Sequence, residues 1–367
     1  MKKKIYIMAF AAAMSLSLAS CQQQDISLPV DFDVTLDGDN VYRPGDIVRF
    51  RFTGDADYIT FYSGEVGHEY DNRNRTSIPF EDINDLSLDI KIQPLWGIGA
   101  LKADSEYGFR IYLSNSFGGL TSDDGYEQRT QIQQMINEGQ FPMNESVTDK
   151  PWKQIWNDIN CETFQNEWRY GFNSNDPENG CDMSEYADNF CIAFHWKPNT
   201  LNWTRNQRTY HVQGDINMSY GKDGQSVNTP FTEVPFTVVT MNEQDPPHLG
   251  TFPTMRGDTT YVGTVNFGRP NWDINFEGAA SNWPGLNWEL DVWCISDPMP
   301  LNSVSRDKGV QIKSLLSPIL TYDHVYDKPG TYKAVFYGVN DNYQGTKTAV
   351  KEVTVIVVDD PPFSESE

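Results

Sequence analysis

Histidine and cysteine are scarce in this chain, five of each in 367 residues. No histidine stands in a His-Glu-x-x-His pattern or beside a cysteine pair. Cys161, Cys181, Cys191 and Cys294 are separated by 19, 9 and 102 residues, which matches no zinc spacing. There is no Gly-x-Ser-x-Gly, no phosphate-binding loop and no dinucleotide fingerprint. The sequence therefore nominates no catalytic residue and no metal ligand. Positive charge is also short, with 28 Lys and Arg against 51 Asp and Glu, a net charge of -23. A field of that sign repels phosphate backbones and argues against a nucleic-acid partner. Long apolar runs are missing too. The stretch from Ile5 to about Ala19 falls short of the ~20 residues a spanning helix needs.

That stretch follows Lys2-Lys3-Lys4, the pattern of a secretory signal. It ends in Leu18-Ala19-Ser20-Cys21, followed by Gln22-Gln23-Gln24, and resembles the lipobox of bacterial lipoproteins. The resemblance implies a signal peptide over 1–20, lipidation of Cys21, and a membrane tether through acyl chains, which anchor stably when there are two or more. In an exported chain the four remaining cysteines can form disulfides or stay as buried thiols, and the sequence leaves both open.

Aromatic residues are plentiful, 13% of the chain, and alternation is clear near both ends. "DFDVTL", "DIVRFRFTG" and "DYITFYSG" read as strands separated by Asp, Gly, Pro and Asn. So do "TYKAVFYGV" and "KEVTVIVV" near the C-terminus, and neither set makes a complete sandwich alone. The expected organisation is a linker over 21–28, one sandwich built from 29–80 and 318–358, an insert over 81–317, and an acidic tail over 359–367. "HVYDKPGTYKAVFYGVN" resembles the end of PKD-type immunoglobulin-like modules, although their Trp-Asp-Phe-Gly-Asp-Gly motif is absent. The whole pattern resembles an uncharacterised family of Bacteroidetes surface lipoproteins, typically encoded beside polysaccharide-uptake systems. That resemblance implies an outer-membrane, cell-surface location and a partner in an outer-membrane transporter complex.

The insert reads as a second β unit, with strands expected at 86–92, 107–114, 189–196, 208–220, 235–241, 260–268, 271–278 and 287–296. Short strands with Gly, Pro and Asn between them predict a jelly roll. "CDMSEYADNFCIAFHW" and "LDVWCISDPMPL" resemble galactose-binding-like jelly rolls. One short helix is expected at "YEQRTQIQQMINEG", capped by Asp123 or Asp124 and ended by Gly139. The fold class is thus all-β, a PKD-like sandwich split by an inserted jelly roll with one helix.

The loop holding Asp176, Glu178, Asp182, Glu185 and Asp188 has oxygens of the kind a structural calcium takes, but its spacing is not an EF-hand and a solvated acidic loop is the simpler reading. Glu65, His68 and Glu69 read as a charge-stabilised turn, and His195 and His211 as structural strand histidines. Paired carboxylates for hydrolysis need a set separation that sequence cannot show. Flat rings complement the C–H faces of sugars, while amides and carboxylates bond their hydroxyls. Trp196 and Trp272 fall on strand faces and are assigned to the core. Trp96, Trp203 and Trp283 are bracketed by turn residues and are the glycan-binding candidates. The expectation is a lipid-anchored, non-catalytic glycan-binding protein without cofactor. An adhesin or scaffold subunit is the first alternative and a glycoside hydrolase the second.

Overall fold

The computed structural model describes residues 29–95, 108–142, 149–158, 166–197, 208–222, 224–241, 250–253, 259–262, 265–269, 271–278, 291–342 and 345–359. The chain is all-β with one described helix, and it divides into two compact units at Arg75/Thr76 and Val304/Ser305.

The first unit contains β1 (Asp31–Leu36), β2 (Val41–Tyr42), β3 (Ile47–Asp55), β4 (Tyr58–Tyr62), β18 (Val310–Lys313), β19 (Thr321–Val325), β20 (Gly330–Asn342) and β21 (Gly345–Val357). They form two sheets, β1-β3-β19 and β18-β4-β20-β21-β2. Every pairing is antiparallel except β2 with β21. Segments from the two ends of the chain are thus hydrogen-bonded to each other: β3 to β19 and β4 to β20. β18 falls in the stretch assigned to the insert from sequence, yet its ladder runs along β4, which places it in this first sandwich. Alternation drives the packing. Phe32, Val34, Val48, Phe50 and Phe52 of one sheet meet Ile59, Phe61, Ala334, Phe336 and Val355 of the other. Phe336 lies 4.9 Å from Phe50, 5.3 Å from Phe52 and 5.0 Å from Phe61 between ring centroids. Those are ordinary aromatic contact distances, which add to simple burial.

The inserted unit contains β5 (Ile83–Leu95), β6 (Gly108–Ser114), α1 (Gly125–Asn137), β7 (Lys153–Asn157), β8 (Arg169–Asn173), β9 (Cys191–Lys197), β10 (Thr209–Tyr220), β11 (Gln225–Pro230), β12 (Phe236–Thr240), β13 (Gly250–Pro253), β14 (Thr259–Val262), β15 (Val265–Arg269), β16 (Trp272–Phe276) and β17 (Val292–Ser296). Two sheets pack face to face. One runs β15-β16-β10-β5-β8, with β11 also on β10; the other runs β12-β17-β9-β6-β7. β13 and β14 form a separate pair. Between the sheets lie Ile90, Ile92, Val212 and Ile274 from the first and Phe109, Ile111, Phe194 and Trp196 from the second. Gly214 lets β10 carry the ring of Phe231, whose Cε2 would sit 2.1 Å from any Cβ at that position.

The second sheet is buried on both faces. Its far side carries Tyr112, Ala193, Trp293 and Ile295, covered by Phe141 and Trp152 and by Ile132 and Met135 of α1. This is why β6, β9 and β17 are almost wholly buried. α1 starts where the Asp124 carboxylate accepts from the backbone N–H of Tyr126 and Glu127, at 2.9 and 3.1 Å. It ends at Gly139, whose φ of +65° closes the last turn. The first sheet of this unit differs: its outer face carries polar and aromatic side chains.

Cys191 and Cys294 are free and buried, and Cys181 is free and half-buried. Cys294 points into the inter-sheet core and Cys191 to the helix-covered side, so they cannot bridge. Cys161 lies outside the described residues.

Candidate functional site

The outer face of the β10 sheet is dictated by register. Along β10, Tyr210, Val212, Gly214, Ile216 and Met218 point inward and are buried, while His211, Gln213, Asp215 and Asn217 point outward and are half-buried. Their partners on β5 are Gln93, Lys91, Asp89 and Ser87. Strand geometry therefore lays two rows of polar side chains side by side on one face.

Aromatic rings bracket the His211 end of these rows. Asn166 adopts φ +62°, one of the few non-glycine types that tolerates the left-handed region. Its N–H bonds Pro94 O at 2.8 Å and its carbonyl accepts from Gln93 Nε2 at 3.0 Å, which fixes the turn that brings Trp168 over β5. The Trp168 ring lies 6.4 Å from that of His211, and the Trp272 ring 5.5 Å from it on the other side. Trp272 is thus not a core residue. The β10–β16 ladder covers only Ile274 to Phe276; Trp272 still pairs with Arg269 of β15, but it is half-buried and its ring lies beside His211. Further along, Tyr170 is 63% exposed, with Lys91 Nζ 5.4 Å from its ring.

Polar groups surround the rings. His211 Nδ1 contacts Gln93 Oε1 at 3.2 Å. Gln213 Nε2 donates to Asn271 O at 3.3 Å. Asn275 pairs with His211 across the strands, is 5% exposed, and donates to Glu277 Oε2 at 2.7 Å. Its Oδ1 is buried with no hydrogen-bond partner among the described residues. A buried amide oxygen without a donor costs about 1–3 kcal/mol. Burial raises the carboxyls of Glu277 and Asp273 above their ordinary values. It raises Asp89 as well, with Asp215 opposite adding to the shift.

Burial pushes the His211 imidazole down to about 4. It is therefore a neutral ring at neutral pH. A histidine whose folded value lies below the ordinary ~6.5 is protonated first in the unfolded chain, so its stability contribution is intact above ~6.5 and fades as the pH falls towards 4. We expect the melting temperature of the inserted unit to drop across that window. His211→Gln should remove this component. Parallel pH profiles for wild type and variant would contradict it.

Other sequence candidates resolve differently. Cys21, Trp96, Trp203 and Trp283 lie outside the described residues. Trp196 is fully buried in the inter-sheet core. His195 bonds Asp291 Oδ1 at 2.9 Å and stacks 4.2 Å from Trp293, a structural role. His68 Nδ1 contacts Lys308 O at 2.6 Å, and Glu65 holds His324 at 2.9 Å. In the acidic loop, Asp176 caps the N–H groups of Glu178 and Asn179, and Asp182 caps Ser184. Among the described residues no three His, Cys, Asp or Glu side chains converge as a metal site. A cleft of about 500 Å³ lies over α1, lined by Tyr126, Arg129, Gln133, Gln134 and Met241 among others. It offers one ring, that of Tyr126.

Fold and face together define an all-β protein of two sandwiches, one bearing an aromatic-lined polar sheet surface. Residues 20–233, more than half of the chain, match the family model described as a domain of unknown function, DUF5017, and the chain belongs to that family. The matched segment takes in Gln93, Trp168 and His211 and stops before Trp272 and Asn275. No curated protein matches the chain.

Proposed function

We propose that this chain is a non-catalytic, lipid-anchored glycan-binding protein of a bacterial outer-membrane surface, and that the outer face of the β10 sheet is its binding surface. The observation that carries the reading is the ring row Trp168, His211 and Trp272, set beside the amides of Gln93, Gln213 and Asn275. Rings of this kind stack on sugar C–H faces, and amides and carboxylates bond the hydroxyls. Trp96, Trp203 and Trp283 remain further candidates for ring contacts. The resemblance to Bacteroidetes surface lipoproteins supports a place in a polysaccharide-uptake system, with an outer-membrane transporter as partner.

A glycan array on the protein from Gln22 onward tests the reading, with Trp168→Ala and Trp272→Ala as controls. Binding that both substitutions weaken supports it. An array without signal, together with capture of a defined protein partner, favours an adhesin or scaffold subunit; cleavage of the glycan favours a hydrolase.

The anchor is tested separately. Cys21→Ala should move the protein from the membrane fraction to the soluble fraction, because the acyl chains supply the attachment. Retention of Cys21→Ala protein in carbonate-washed membranes would refute the anchor.

A further inference from the structure

The first sandwich has an apolar feature that glycan binding does not use. Residues 314–320 join β18 to β19, and Leu315, Leu316 and Leu320 in that connection are 59%, 91% and 77% exposed. Isolated surface leucines are ordinary, but three in so short a segment form an apolar cap of the kind that marks protein or membrane contact.

The position of the cap follows from backbone bonds. Leu320 O accepts from Phe52 N at 2.9 Å, and Lys313 Nζ pairs with Asp55 at 3.2 Å. On the other side of β3, Phe52 pairs with Val34 and Asp55 with Asp31 of β1. Pro29 is held at the same end, its carbonyl accepting from Asn340 Nδ2 at 3.0 Å, while Asn340 Oδ1 accepts from Asp57 N at 2.7 Å. The leucine cap and the point where the chain enters from its N-terminus therefore share one end of the sandwich. They are separated by two strand spacings, about 10 Å.

We propose that the Leu315–Leu316–Leu320 cap is a second membrane contact, seated in the interfacial layer of the bilayer to which Cys21 is anchored. This rests on the reading of Cys21 as an acylated cysteine. Cys21 and Pro29 are about eight residue steps apart, which spans at most about 29 Å when fully extended. The tether holds this end of the sandwich near the lipid, so even weak partition of three leucines becomes an intramolecular event at high effective concentration. Asp31, Asp55, Asp57 and Asp341 lie at the same end, with Lys313 facing Asp55. Carboxylates repel anionic headgroups, so the lipid that fits is zwitterionic.

The test is photocrosslinking in the full chain, in membranes, with Leu316→p-benzoylphenylalanine. Ile47→p-benzoylphenylalanine serves as the control; Ile47 is 60% exposed and pairs with Val325 at the opposite end of β3. Mass spectrometry reads the peptide containing position 316 and the N-terminal peptide of the same sample. We expect a phospholipid adduct at position 316 and none above background at position 47. With Cys21 acylated, a protein adduct at 316, no adduct there, or equal lipid labelling at 47 overturns this inference and leaves the anchor standing. A Cys21 without acyl chains overturns both.

Discussion

The Trp168→Ala, Trp272→Ala double variant should lose more glycan affinity than the roughly tenfold of either single variant, up to about a hundredfold, while its melting temperature shifts by only a few degrees. One stacked ring contributes on the order of 1–2 kcal/mol by analogy with other aromatic contacts. Since ~1.4 kcal/mol is a factor of ten, each single variant should lose about tenfold. Both rings touch His211, so the two effects need not add; residues sharing a partner couple by about 0.5–3 kcal/mol. Stability changes less than for core rings because both tryptophans are half-buried and lie outside the main hydrophobic cluster. Titration of the array-selected glycan by calorimetry, with melting curves on the same samples, separates the two effects. If both single variants bind as wild type does, the β10 face is not the site. If they bind weakly only because they melt early, the rings are structural.

The fold was legible in sequence wherever one face of a strand is solvated. β10 shows this, with Tyr210, Val212, Ile216 and Met218 inward and His211, Gln213, Asp215 and Asn217 outward. β3 shows it with Val48, Phe50 and Phe52. β6, β9 and β17 were legible for the opposite reason, as short apolar runs buried on both faces. β7 and β8 carry no such signal. "KQIWN" and "RYGFN" are five residues each, and Arg169 and Tyr170 of the second are exposed where a strand core would be expected. Missing β8 concealed the candidate site, because Trp168 and Tyr170 belong to that strand and the turn before it. Alternation through Trp272, Ile274 and Phe276 points to the core, yet Trp272 lies beyond the β10 side of the ladder, pairs with Arg269 of β15, and sits half-buried beside His211. His211 is a strand histidine in sequence and in structure, but its chemistry depends on neighbours at Gln93, Trp168 and Trp272. With His211, those residues come from four separate segments, and no local motif could have joined them. The signal available in sequence was the cluster of aromatic and basic residues in "EWRYGF", which suits a solvent-facing strand better than a loop.

Trp196→Ala should destabilise the inserted unit by about 3–5 kcal/mol, the usual cost of truncating a large aromatic residue in a core. For a unit of this size, 1 kcal/mol moves the transition by about 2–4 °C, so melting should fall by roughly 6–20 °C. Trp196 is fully buried, pairs with Phe109 and Val292 on its two neighbouring strands, and meets the Phe276 ring at 6.0 Å across the inter-sheet core. Its Nε1 is also buried with no hydrogen-bond partner among the described residues. An unpaired N–H costs about 1–3 kcal/mol, which offsets part of what the indole contributes through burial. Trp196→Phe therefore serves as the decisive control. It deletes the unpaired N–H and keeps most of the ring, so its cost should be well below that of the alanine variant, and the difference between the two measures packing alone. Urea denaturation followed by circular dichroism gives both values. Equal losses for Phe and Ala would show that the shape of the indole, not its apolar area, holds the two sheets together. A loss below ~1 kcal/mol for Ala would remove Trp196 from the core.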